Sequence, residues 1–266
     1  MKDRFCITQV AATAETLLGI APDAAMAPPL TPVLRSAGRR LTGPCDRVFL
    51  YNPDAIAQWL YTAYCSRFAP LEARADLGLG MGSVYPPVTP VCFASMYSGL
   101  QPKEHGIRAY VKPVLAVDTV FDHLPRAGRR CAIVSTEGDS ISLIFGGRDV
   151  DYFIFPTVAQ CNRKALELIQ EDRHHLIVLY NGNYDHWMHR GGPESPWALR
   201  ALKANISAYC ALHDAIREAW GTHNTALVFA PDHGCHQQYG FLGQHGVDAP
   251  CDMHIRHFWR FLPARS

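Results

Sequence analysis

The sequence has no excess of either charge sign. Its 266 residues carry 25 Lys and Arg against 24 Asp and Glu, a formal net charge of +1. That balance excludes affinity built on neutralising a phosphate backbone, so no nucleic acid is expected as a partner. It also excludes a polybasic membrane-surface binder. No apolar run approaches the roughly 18–20 residues of a spanning helix, so no membrane association is expected. The N-terminal stretch MKDRFCITQVAATAETLLGIAP is interrupted by Asp3, Arg4, Thr8 and Glu15 and does not read as a secretory leader. The nine cysteines are odd in number, irregularly spaced and without a CxxC pair. Reduced thiols in a cytoplasmic protein are therefore expected rather than a disulfide framework. No internal repeat or low-complexity tract points to a solenoid or a disordered tail.

What is present is an ordinary globular balance, 48% apolar and 18% charged, with enough material for a substantial core. Histidine is the unusual residue: 13 in all, 11 of them between His174 and His257.

Residues 1–45 differ from the rest. Alanines, Pro22, Pro28, Pro29, Pro32 and the stretch GRRLTGP predict a short helix and then an irregular segment, an N-terminal extension packed on a core domain of residues 46–266. Beyond it, short apolar runs predict strands over 48–51, 131–135, 152–155, 176–180 and 226–230. They lack strict alternation, as strands buried on both faces do. Helical patterns lie between them, over 55–68, 120–124, 163–171 and 196–220. Such alternation predicts an α/β fold, a largely parallel central sheet with helices on both faces. In such folds ligands sit beyond the carboxyl ends of the strands.

Three of the predicted strands deliver an aspartate there: Asp54, Asp185 and Asp232. His189 follows Asp185 at four residues, His233 follows Asp232 directly, and His245 stands in the loop Gly243-Gln244-His245-Gly246. Carboxylate oxygen with imidazole nitrogen suits zinc and similar divalent ions. Three aspartates and three histidines exceed one tetrahedral site and suit two sites sharing a cleft, the arrangement that clamps both oxygens of a phosphoryl displacement. Asp54 alone could equally cap the helix AIAQWLY. The joint occurrence favours the metal reading.

The segment PPVTPVCFASMYSG reads as a short helix with Pro90 at its first position and Gly99 past its end, which makes Thr89 the N-cap. A hydroxyl there lies beside free backbone N–H groups and, next to a metal, can act as a nucleophile. Cys92 in the same helix reads as core.

The segments VTPVCFASMYSGLQPKEHGI, DHWMHRGGP, PDHG and GQHG together resemble the alkaline phosphatase superfamily, and within it the nucleotide pyrophosphatase/phosphodiesterase branch. The resemblance spans roughly residues 47–260, and its strength lies in four motifs in the right order. It implies an alkaline phosphatase-like core and two divalent ions, zinc favoured and manganese the alternative. As a departure, this sequence has no long insertion to form a large cap domain, so a relatively open site is expected. Asp185, His189 and His245 would hold one ion; Asp54, Asp232, His233 and the Thr89 oxygen would hold the other. Thr89 would be the catalytic nucleophile, forming a phospho-threonine intermediate on a small-molecule phosphoester. Two further departures stand out. The branch shows Asp-Gly after its first strand where this chain has Asp54-Ala55, with Asn52 a nearby competitor. It also often places a phosphoryl-contacting asparagine shortly after HGI, where Tyr110 stands here, so Tyr110 or Lys112 is expected to contact substrate.

A sulfatase is disfavoured, because Thr89-Pro90-Val91-Cys92-Phe93 does not supply that group's Cys/Ser-x-Pro-x-Arg loop. Phosphomonoesterase, phosphonate hydrolase and phosphomutase activities remain open. A noncatalytic zinc protein, built on the C-x2-H-x2-H spacing of Cys251, His254 and His257, is the alternative of a different class. Among the other histidines, His186 and His236 are expected to orient ligands, His105 to be structural, His174 and His175 to end a helix, and His213 and His223 to lie on the surface.

Overall fold

The computed structural model describes residues 5–265. Among them the strands are β1 (Arg47–Pro53), β2 (Leu77–Gly82), β3 (Cys131–Thr136), β4 (Asp151–Phe155), β5 (Leu176–Asn181), β6 (Thr225–Phe229), β7 (His236–Gln238), β8 (Leu242–Gln244) and β9 (His254–Leu262). The helices are α1 (Gln9–Leu17), α2 (Thr31–Gly38), α3 (Gln58–Ala63), α4 (Cys65–Glu72), α5 (Thr89–Ser98), α6 (Pro102–His105), α7 (Val120–Arg126), α8 (Ser140–Ile144), α9 (Val158–Glu171), α10 (Asn183–Gly191), α11 (Pro196–Ala219) and α12 (Pro250–Met253).

Seven strands form one sheet in the order β2-β9-β6-β1-β5-β3-β4. The five strands from β6 to β4 run parallel, and β9 and β2 are added antiparallel at one edge. The five strands expected from sequence are all there. Their unbroken apolar character has a simple cause, since each residue faces one of two cores. Val48 and Leu50 of β1 join the core that contains α1, α5 and α7, whereas Phe49 and Tyr51 join the one that contains α9 and α11. Sequence reading did not find β2. Its run LGLGMG has no β-branched residue, and of its glycines Gly78 answers to β9: a Cβ there would lie 2.9 Å from Arg256.

The expected helix over 55–68 is broken. Ala55 is left-handed (φ 62°) and Ala57 extended, so α3 begins only at Gln58, and Tyr64 interrupts the path before α4. Tertiary hydrogen bonds hold this irregular start, among them Ala55 N–H to Asp232 Oδ1 at 3.3 Å and Trp59 Nε1 to the Cys235 carbonyl at 2.7 Å. Helix α9 begins five residues before the expected 163, where the Thr157 hydroxyl caps it by accepting from Gln160 N–H.

The N-terminal residues extend the sheet edge and then cross one face. Ile7 N–H donates to the Gly82 carbonyl and Gly82 N–H to the Phe5 carbonyl. Helix α1 buries Val10, Ala11, Ala14 and Leu17 beneath α5 and α7. No helix among the described residues is long and apolar enough to cross a membrane. All nine cysteines are free thiols.

Candidate metal centre

Strand order builds the site. β1 lies between β6 and β5, so the chain ends leaving these three neighbours carry Asp54, Asp232 and Asp185 to one place. The sequence-expected residues separate into two clusters. Asp185, His189 and His245 bring ligand atoms within 4.8 Å of one another, and so do Asp54, Asp232 and His233. Within the first, His189 Nε2 lies 3.2 Å and His245 Nε2 3.4 Å from Asp185 Oδ1. Within the second, His233 Nε2 lies 3.3 Å from Asp54 Oδ1 and 3.4 Å from Asp232 Oδ2.

All three imidazoles are aimed the same way. Each donates Nδ1–H to a backbone carbonyl: His189 to Gly243 at 3.0 Å, His233 to Gly234 at 2.9 Å and His245 to Pro87 at 3.0 Å. A carbonyl can only accept, so Nδ1 carries the proton and Nε2 presents its lone pair to the carboxylates. Facing them, Asp54 Oδ1, Asp185 Oδ1 and Asp232 Oδ2 are buried and accept no hydrogen bond. Acceptors turned towards acceptors require a positive charge between them, and the donor set fits divalent metal ions.

The electrostatics agree. Burial pushes the Asp54 carboxyl up, with the Asp185 charge adding to it. Burial and the neighbouring Asp54 raise Asp232 well above the usual range. Asp185 is also penalised by burial, but the adjacent His189 and His245 imidazoles outweigh this and hold it below its ordinary value. Two carboxylates that resist ionisation in the absence of a cation are the expected signature of a site shaped to receive one.

Thr89 Oγ1 stands at the second cluster, 3.4 Å from both Asp54 Oδ2 and His233 Nε2. Thr89 is not the N-cap, however. Val88 is, in extended conformation, and Thr89 is the first helical residue, its hydroxyl turned to Asp54 and His233. That frees the hydroxyl for the cluster. Gly99 ends α5 in the left-handed conformation (φ 74°) as the sequence implied.

No protein-family model matches the chain. No curated protein matches it by sequence. Solved structures do. Human ectonucleotide pyrophosphatase/phosphodiesterase 5 superposes with a TM-score of 0.64 at 14% identity, covering 82% of this chain and 88% of that one. The fold is that of the nucleotide pyrophosphatase/phosphodiesterases. The murine protein of the same name, in an inactive threonine-to-alanine form in complex with AMP, gives a TM-score of 0.56 at 17% identity, covering 72% of this chain and 58% of that one. The murine protein without that substitution gives 0.54, with the same coverage.

On this fold the two clusters open into a cavity of about 740 Å³ whose lining includes Thr89, Tyr110, Lys112, Asp139, Trp187 and Arg190. Tyr110 is 60% exposed at its rim, with the Lys112 ammonium 5.3 Å from its ring centroid and donating to the Gly138 carbonyl at 2.8 Å. Asn52 does not compete with Asp54. It donates to the Ala230 carbonyl at 2.7 Å and accepts from the Tyr97 hydroxyl, tying α5 to the sheet. Sequence reasoning missed Tyr180, which looked like one more apolar strand residue; its hydroxyl donates to Asp54 Oδ2.

The alternative zinc set does not assemble. His257 is buried and donates Nε2–H to the Pro231 carbonyl at 2.8 Å, away from Cys251. The third cluster that forms is His236, Cys251 and Asp252. His105 is structural, its Nε2 2.9 Å from Ser95 Oγ and its Nδ1 accepting from Ile107 N–H. His213 is buried rather than on the surface, paired with Asp214, and His174 does not end a helix: α9 stops at Glu171, and His174 is buried beyond it, paired with Asp151. Cys92 is core, beside Ser83.

Proposed function

We propose that the chain is a metal-dependent phosphoester hydrolase of the phosphodiesterase type, with Thr89 as nucleophile and two divalent ions, zinc favoured over manganese. The observation that carries this reading is the pair of clusters in which three imidazole Nε2 atoms face three unpartnered carboxylate oxygens, with a free threonine hydroxyl beside them. The murine neighbour, described as inactive with a threonine replaced by alanine and holding AMP, supports a threonine-dependent chemistry on a small phosphate ester.

Asp185, His189 and His245 would hold one ion, and Asp54, Asp232, His233 and Thr89 the other. Ions bound there supply charge neutralisation for the phosphoryl group and lower the pKa of a nearby hydroxyl. The chain's own part is positioning. The left-handed turn at Ala55 and the Tyr180 hydroxyl orient Asp54. The α5 start holds Thr89 Oγ1 at the edge of the cavity, open to an incoming phosphorus. Attack forms the Thr89 O–P bond as the ester O–P bond breaks and the leaving oxygen departs. Water then cleaves the phospho-threonine, returning the Thr89 hydroxyl with net retention at phosphorus. Tyr110 and Lys112 at the rim are placed to contact the substrate.

The test is steady-state turnover of a nitrophenyl phosphodiester, monoester and sulfate by purified protein with added zinc or manganese. Fastest turnover of the diester is expected. A preference for the monoester assigns a phosphomonoesterase on the same site, and no turnover of any ester overturns the hydrolase reading.

A further inference from the structure

The cluster of His236, Cys251 and Asp252 has ligand-type atoms as close together as those of the two candidate metal clusters, but it is chemically different. Asp252 is fully buried, and both its carboxylate oxygens are already satisfied. Oδ1 accepts from His236 Nδ1 at 2.8 Å, and Oδ2 accepts from the Val247 backbone N–H at 3.0 Å. In contrast to Asp54, Asp185 and Asp232, it offers no bare oxygen to a cation.

What Asp252 holds is informative. Its third bond is through the backbone, where its carbonyl accepts from Gly234 N–H at 2.7 Å. Gly234 follows His233 and supplies the carbonyl that orients that imidazole. The approach is so close that a Cβ on Gly234 would sit 2.1 Å from the Cys251 carbonyl oxygen, which accounts for glycine there. His236 opens the β7–β8 hairpin and pairs with Gln244. The returning strand carries Gly243, whose carbonyl orients His189, and leads directly into His245. Val247, held by Oδ2, lies two residues beyond His245. One residue thus ties down the segments that aim His189 and His233 and the one that carries His245.

We propose that the Asp252 side chain is a positioning group that sets the geometry of the Asp185, His189 and His245 cluster through His236 and Val247, and is not itself a metal ligand. The proposal rests on the metallohydrolase reading above. Carboxylates that orient ligands from behind typically contribute 10–100-fold in metal affinity.

The experiment is zinc binding to the full chain by competition with a chromophoric chelator, with far-ultraviolet circular dichroism as the check on folding. Two zinc ions per wild-type chain are expected, and Asp252→Ala should weaken the ion at Asp185, His189 and His245 by about 10–100-fold, and the other ion less, while the chain stays folded. His236→Gln cuts only the hairpin arm. It should weaken the ion at Asp185, His189 and His245 more than the ion at Asp54, Asp232 and His233, and it carries the test if Asp252→Ala does not fold. Three zinc ions in the wild type, falling to two at unchanged affinity in Asp252→Ala, would overturn the proposal in favour of a third metal site. Unchanged affinities in both variants would overturn it in favour of a merely structural contact. A wild-type chain that binds no zinc or manganese overturns the metallohydrolase reading itself.

Discussion

Asp54 Oδ1 lies 3.3 Å from His233 Nε2, both side chains are buried, and the carboxylate oxygen accepts no hydrogen bond. The imidazole proton is on the far side, committed to the Gly234 carbonyl. Two acceptors held together in a dry interior cost stability, and the fold sustains this through a rigid sheet and close glycine contacts. The arrangement makes sense as a receptor for positive charge.

Thr89→Ala removes the proposed nucleophile without removing a helix cap, because the N-cap of α5 is Val88. Turnover of a nitrophenyl diester should fall by at least about 1,000-fold while the melting temperature stays within a few degrees. Retained turnover would remove Thr89 from the mechanism.

Asp232→Asn should separate stability from function. A carboxyl whose folded pKa lies above its unfolded value binds its proton more tightly when folded, so ionised Asp232 destabilises the metal-free protein at neutral pH. Neutral Asn relieves this, and metal-free stability should rise. Zinc should then raise the melting temperature of the wild type but not of the variant. Thermal melts with chelator and with zinc measure both effects.

Ala55→Gly tests the strained turn behind Asp54. A left-handed alanine costs about 1–2 kcal/mol, and glycine loses about 0.4–1 kcal/mol more through unfolded-chain entropy. A net gain of roughly 0.5–1 kcal/mol, or about 1–3 °C, is expected at this φ of 62°. Zinc stoichiometry should not change. A lower melting temperature would show that the alanine methyl packing outweighs the strain.

His257 governs part of the acid sensitivity. Burial lowers its pKa to about 4 from an ordinary 6.5. The folded state therefore binds fewer protons than the unfolded state between these values, and stability falls as pH drops from 6.5 towards 4. At roughly 1.4 kcal/mol per pH unit this amounts to about 3 kcal/mol when complete. His257→Gln, which keeps a donor for the Pro231 carbonyl, should flatten the slope of urea-unfolding free energy between pH 6.5 and 5 measured with chelator. An unchanged slope would place the acid sensitivity elsewhere.

The sequence by itself determined the parts of this protein that depend on local pattern. Apolar runs 48–51 and 176–180 became central strands because residues alternating between two cores must all be apolar. Asp54, Asp185 and Asp232 were legible because chain leaving a parallel strand is where an α/β fold places its ligands. Only the tertiary structure decided what depends on distant neighbours. The strand order β6-β1-β5 puts the three aspartates side by side, although they lie far apart along the chain. Glycine-rich β2 exists because β9 pairs with it, and its own residues carry no strand signal. The carbonyls of Gly243, Gly234 and Pro87 select the imidazole face, and a backbone acceptor leaves no mark in a sequence. Tyr180 and Asp252 were likewise unreadable, since a buried hydroxyl or carboxylate takes its meaning from the partner that folding brings to it.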